Sequence, residues 1–256
     1  MPALTRRVSP WFLLLVGITV LGAVLAAAAV PVRSEALAIF GIFVVVLAGW
    51  VVSLCLHEFG HAITAYRGGD TSVALKGYLT LDVRRYTDPG LSLVLPLIIL
   101  LIGGLPLPGG AVWINQWALR SRGWRTAVSL AGPAANLVVG AVLIITVALF
   151  PSLPTPVGAG LSALALFQIV AFVLNMLPVP GLDGWGAIEP YLSVPAQRFG
   201  ERVRPWAPLA LLAVLLFVPG ISTFFFAATQ ILYSVVGGDS QLAGQGFRAL
   251  FFWRYL

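Results

Sequence analysis

Charge is scarce in this chain. Only 9% of its 256 residues are Asp, Glu, Lys or Arg, against about 25% in a soluble domain, which excludes an ordinary water-soluble fold. Cysteine is nearly missing. A single residue, Cys55, rules out an internal disulfide and reads as a small buried packing residue. Histidine occurs only twice, at positions 57 and 61, so any histidine-based metal site must use that one stretch. The net charge is +6, yet the basic residues do not interleave with aromatics on one face. That patterning argues against nucleic-acid binding.

What the chain has is apolar sequence, 59% of the total. Crossing a hydrocarbon core of ~30 Å takes about 20 helical residues, and several runs reach that length. The expected spans are roughly 11–30, 36–66, 126–150, 158–177, 206–218 and 221–236. Ser34 is the N-cap of the second and Gly68-Gly69 its stop. Arg6 and Arg7 before an apolar run suggest a signal peptide, but the run to Val30 is longer than a signal core, so an uncleaved first helix is expected. Region 91–114 is broken by Pro96, Gly103, Gly104, Pro106, Pro108, Gly109 and Gly110. Irregular backbone at membrane depth persists only when buried in protein or lining a wet cavity, so this region is expected to be re-entrant. Between Gly69 and Gly90, Leu75, Leu79, Leu81 and Val83 alternate with Lys76, Thr80, Asp82 and Arg84, which suggests a short strand or hairpin.

The expectation is therefore an all-α polytopic membrane protein of about six transmembrane helices. It would carry a re-entrant segment and a short β hairpin or sheet between helices 2 and 3. A single membrane-embedded domain would cover 1–256, with a core at 36–192 and a C-terminal helical hairpin at 206–236. With the N-terminus in the cytoplasm, every basic residue but Arg33 falls on the cytoplasmic side. This bias favours cytoplasmic termini at both ends, in a cell membrane of bacterial type.

Against this background stands "HEFGH", residues 57–61. Two histidines at i and i+4 share a helical face and can bind one metal ion. Glu58, next to the first, can take a proton from metal-held water, whose pKa zinc lowers from 15.7 to about 7. A charged residue inside a membrane is costly and points to function. Catalytic zinc needs three protein ligands, and the third must be a carboxylate or Cys55. Asp70, Asp82, Asp88 and Asp239 lie in polar or turn segments. Asp183, in "NMLPVPGLDGWG", follows a span that ends at the same membrane side as His57 and His61. The metal is thus expected near the cytoplasmic face.

"HEFGH" in a membrane helix, followed far downstream by "NMLPVPGLDG", resembles the site-2 protease family of intramembrane zinc metalloproteases. "AGPAAN" at 131–136 and "PGGAVWI" at 108–114 are also similar to segments of that family. The resemblance covers roughly 36–192. It implies one Zn2+ per chain on His57, His61 and Asp183, with Glu58 as catalytic base. Trp185 departs from the pattern, which often has a second glycine there. The PDZ and CBS modules common in the family have no room here. Asn136 and Asn175 are assigned to catalysis, as donors to a developing oxyanion, although buried amides also join membrane helices. The implied activity is hydrolysis of a peptide bond in or near a transmembrane segment of another membrane protein, the lipid bilayer being the other partner. An unwound substrate would find backbone partners along 73–83 or Ala111–Ile114. The sequence leaves the oligomeric state open. The competing reading is a non-catalytic membrane protein or metal transporter that retains a zinc site. A transporter would carry more polar residues across its helices than this chain has.

Overall fold

The computed structural model describes residues 8–86 and 112–254. Its first helix, α1 (Pro10–Ala28), starts where the Ser9 side chain accepts the Trp11 N–H and Pro10 fits the first helical turn. The second, α2 (Glu35–Gly68), is capped by Ser34, which accepts from the Leu37 N–H. It stops at Gly69, whose φ of +122° an L side chain rarely adopts. α1 and α2 pack closely because both carry glycines at their contact. A Cβ on Gly22 would sit 2.8 Å from the Val45 nitrogen, and one on Gly41 would collide with Ala26. Small residues of this kind let membrane helices approach without a hydrophobic driving force.

Between α2 and the next long helix, the expected β hairpin is replaced by helical turns. Residues Ser72–Leu75 form α3, and Tyr78–Thr80 and Val83–Arg85 are single 3-10 turns. No strand occurs among the described residues. Local polar groups outcompete a ladder here. Asp70 accepts from the Ser72 N–H, and Asp82 accepts from the Arg84 N–H and its guanidinium. Gly77 and Leu81, both at positive φ, reverse the chain between turns. The alternation is not a sheet face: Leu75 stays exposed, while Val73 and Tyr78 pack against Cys55, Ala62 and Ala65 of α2. The expected re-entrant segment at 91–114 lies outside the described residues apart from 112–114.

Two further spans follow, α4 (Arg122–Leu149) and α5 (Thr155–Asn175). α5 is the most buried of the four helices long and apolar enough to cross a membrane. Its Ala159, Ala163 and Phe167 meet Ile42, Val46 and Trp50 of α2. The chain then runs through α6 (Asp183–Ile188) and α7 (Val194–Val203).

The expected count of six spans is also corrected. Helices α8 (Ala207–Phe217) and α9 (Pro219–Val235) bend by 96° at the break between them. Eleven residues of α8 reach only about 17 Å at 1.5 Å per residue, too short to cross alone. The pair is therefore one broken span or a re-entrant loop, and the described residues hold four spans, or five if the pair crosses. The apolar run is continuous through Pro219, so hydropathy alone does not register the bend. A last helix, α10 (Ser240–Leu250), begins where Asp239 accepts the Gln241 and Leu242 N–H groups. Its Gly246 lies on the Ala159 carbonyl, and Leu250 completes the core with α2 and α5.

Candidate metal centre

His57, Glu58 and His61 lie in the last third of α2, and all three are buried. α5 ends at Asn175 at the same end of the bundle, and the turn after it delivers Asp183 as the first residue of α6. That turn is tight. Gly184 packs on the Met176 and Leu177 carbonyls, and Gly181 takes a φ of +99°. The consequence is convergence of three side chains distant in sequence. His57 Nε2 is 3.3 Å from Asp183 Oδ2, His61 Nε2 is 3.4 Å from Asp183 Oδ1, and the two Nε2 atoms are 3.1 Å apart.

These separations fit zinc. Tetrahedral ligands at 2.0–2.2 Å from one ion stand about 3.3–3.6 Å from each other, and the two Nε2 atoms, at 3.1 Å, are slightly closer than that. The orientation fits too. His61 Nδ1 meets the Val128 carbonyl at 2.7 Å, and His57 Nδ1 pairs with Asn136 Oδ1. An oxygen at Nδ1 accepts a hydrogen bond from the ring N–H, which keeps the proton on Nδ1 and leaves the Nε2 lone pair for a metal. Space is kept by Gly132 of α4. A Cβ there would fall 2.6 Å from His57 Nε2 and overlap His61 Nε2. His57, His61 and Asp183 can thus hold one metal ion.

The alternatives for a third ligand are engaged elsewhere. Asp70 caps Ser72, Asp82 pairs with Arg84 at 2.8 Å, and Asp239 caps α10. Cys55 lies in the core with Ala62 and Val73, and Asp88 is outside the described residues. Glu58 Oε2 accepts the Val112 N–H at 3.0 Å, which turns its carboxylate into the same cavity. That cavity measures about 370 Å³ and is lined by the metal group, Trp113, Asn175, Trp185, Glu189 and Arg204. Trp185, in the place of a glycine expected by resemblance, fills the space above Gly200 of α7.

The two asparagines differ. Asn175 lines the cavity, is 2% exposed, and its amide has no partner among the described residues. Asn136 does not line the cavity. It bridges His57 to Gln168 of α5, with Nδ2 donating to Gln168 Oε1 at 2.9 Å. Sequence reasoning passed over Gln168 and the Val128 carbonyl, and gave Gly132, with Pro133, only a close-packing or kink role. A lone amide in the apolar stretch "ALFQIVAF" was the available signal for Gln168.

The expected edge at 112–114 is neither helix nor strand. Val112 donates to Glu58, the Trp113 carbonyl accepts from Lys76 Nζ at 3.0 Å, and Asn115 donates to Asp70 at 2.7 Å. The Ile114 N–H and C=O have no backbone partner among the described residues.

Comparison with known proteins gives a consistent result. The chain is 46% identical over 248 residues to a protein of Mycobacterium tuberculosis named "Putative zinc metalloprotease Rip2", covering 96% of this chain and 95% of the relative. The protein of that name from Mycolicibacterium smegmatis is 43% identical over 249 residues, with the same coverage. YwhC of Bacillus subtilis, also named as a zinc metalloprotease, is 29% identical over 151 residues, 54% of this chain and 65% of that one. No family model matches, and no solved structure matches.

Proposed function

The chain belongs to the site-2 protease-type zinc metalloproteases, and on that premise we propose that His57, His61 and Asp183 hold its zinc, with Glu58 as proton carrier. The observation that carries the reading is the set of separations, 3.1, 3.3 and 3.4 Å, among three side chains from two distant motifs. When bound, zinc supplies Lewis acidity and lowers the pKa of a water it holds.

The protein's own groups do the rest. Glu58 takes one proton from the attacking water. It returns that proton to the nitrogen as the C–N bond breaks. The Val112 N–H keeps the Glu58 carboxylate turned into the cavity. The Asn175 amide, without a partner among the described residues, donates to the carbonyl oxygen as negative charge develops on it. Asn136 acts on His57 rather than on substrate, as a positioning residue.

The substrate in this reading is a transmembrane segment of another membrane protein. A helical substrate hides its carbonyls in its own hydrogen bonds and must unwind before attack, so its backbone needs new partners. The Val112–Ile114 segment beside Glu58 offers them by strand addition, through the Ile114 N–H and C=O. The 73–83 segment is helical turns and is no longer a candidate. The reaction runs at the cytoplasmic end of the bundle, because Arg67, Arg120, Arg122 and Arg125 gather at the same helix ends as the metal group.

The test is cleavage of co-expressed single-span proteins, with zinc content measured on the same preparations. Glu58→Gln should abolish cleavage and keep zinc. Asp183→Ala should lose both. Asn175→Ala should keep zinc and lower kcat about 10²–10³-fold. Full zinc and full activity in Asp183→Ala would overturn the ligand set.

A further inference from the structure

Gln168 sits in the middle of α5 and is fully buried, as are Ala165, Phe167 and Ile169 beside it in the chain. Its Cβ faces Gly140 of α4, where a Cβ would come within 3.2 Å, so the two helices close over it. Its Oε1 accepts from Asn136 Nδ2 at 2.9 Å. Its Nε2 is fully enclosed, away from the cavity, and has no hydrogen-bond partner among the described residues. An unpaired buried amide N–H is costly, and leucine or methionine would fill the same space without that cost. The acceptor oxygen therefore needs a reason.

The reason lies one bond further on. An asparagine side chain presents an oxygen on one side and an NH2 on the other, and the two are nearly equal in shape. Only the oxygen, facing His57 Nδ1, keeps the ring proton on Nδ1 and the lone pair on Nε2. If Asn136 flipped, its NH2 would donate to Nδ1, the proton would move to Nε2, and that nitrogen could no longer bind a metal. Gln168 Oε1 accepts from the Asn136 NH2 as it stands and cannot accept from an oxygen, so Asn136 cannot flip alone: the two amides would have to turn together. Nothing else among the described residues bonds the Asn136 amide.

We propose that Gln168 is a positioning residue for the zinc site, holding the Asn136 amide in the one orientation that leaves His57 Nε2 free to bind metal. The chain of contacts runs from α5 through α4 to α2, and so places a zinc ligand under the control of a helix that carries none. This inference rests on the reading that His57, His61 and Asp183 hold the zinc.

The experiment is zinc competition against a chromophoric chelator, on the full chain in detergent. Gln168→Met keeps the volume and removes the oxygen, and it should weaken zinc binding about 10- to 100-fold. Gln168→Glu still presents an oxygen to Asn136 and should lose less than about tenfold. The decisive comparison uses Asn136→Asp, whose two oxygens make a flip irrelevant. In that background Gln168→Met should cost little. Wild-type affinity in Gln168→Met, or the same loss in both backgrounds, overturns the proposal. If Gln168→Met does not fold, Gln168→Glu decides: a loss of tenfold or more counts against it. Unchanged zinc in Asp183→Ala would instead sink the ligand reading, so the two failures can be told apart.

Discussion

At the scale of single residues, Gly132 is the least expected member of the site. It has no chemistry to offer, and it sits in a helix, where glycine costs about 1 kcal/mol relative to alanine. Its value is the missing Cβ, whose position would lie on the two ligating nitrogens. Gly132→Ala should therefore give a helix at least as stable on propensity alone, yet a protein that does not hold zinc. Metal analysis together with a thermal melt of the metal-free protein would check this. Full zinc in Gly132→Ala would show that α4 stands further from the histidines than described. His57, Glu58 and His61 were legible in the sequence because their relation is one helical turn. Gly132 was not, since its role depends on which face of α4 meets α2.

At the scale of elements, the segment 112–115 is held at three points. Lys76 contributes both a hydrogen bond to the Trp113 carbonyl and a contact over its ring at 4.3 Å. Asp70, 1% exposed, joins the end of α2 to this segment through Ser72 and the Asn115 N–H. Asp70→Ala would leave the Ser72 N–H, the Ser72 hydroxyl and the Asn115 N–H without their acceptor, so the 112–115 segment would lose its register on α2. The expected outcome is a higher KM for a membrane substrate with zinc content unchanged, seen in steady-state kinetics. A mutant with normal KM but lost zinc would mean that Asp70 supports the metal group instead. The same element shows why the expected hairpin failed. Period-two patterning marks a strand only where a partner strand exists, and the two aspartates satisfy their neighbours locally before any ladder forms.

At the scale of the whole molecule, the bend between α8 and α9 decides topology. The contacts place the start of α10 at the end of the bundle away from the metal group. Phe225 of α9 packs with Val170 and Leu174 near the metal end of α5, whereas Tyr233 donates to the Ser162 carbonyl and Leu242 lies against Gly158, in the first half of α5. The bent pair therefore crosses as one broken span, and residue 240 lies on the side of Ser152. Both Ser152 and Ser240 are exposed, and single cysteines there, with Cys55 replaced, test this. Both should label from outside. Labelling of 240 only from the cytoplasm would mean that the bent pair dips in and returns.

The sequence by itself determined the membrane class, the ends of α2 at Ser34 and Gly69, and the histidine pair with its glutamate. Each of these depends on neighbours within a turn or two, or on bulk composition. It also pointed to Asp183, through membrane depth and resemblance. Only the tertiary structure decided how near that carboxylate comes, that Asn136 turns to His57 while Asn175 faces the cavity, and that Gln168 stands behind Asn136. Those outcomes depend on the rotation and close approach of α2, α4 and α5. A glycine contact or a buried amide pair sets that approach, and apolar runs of similar composition do not encode it.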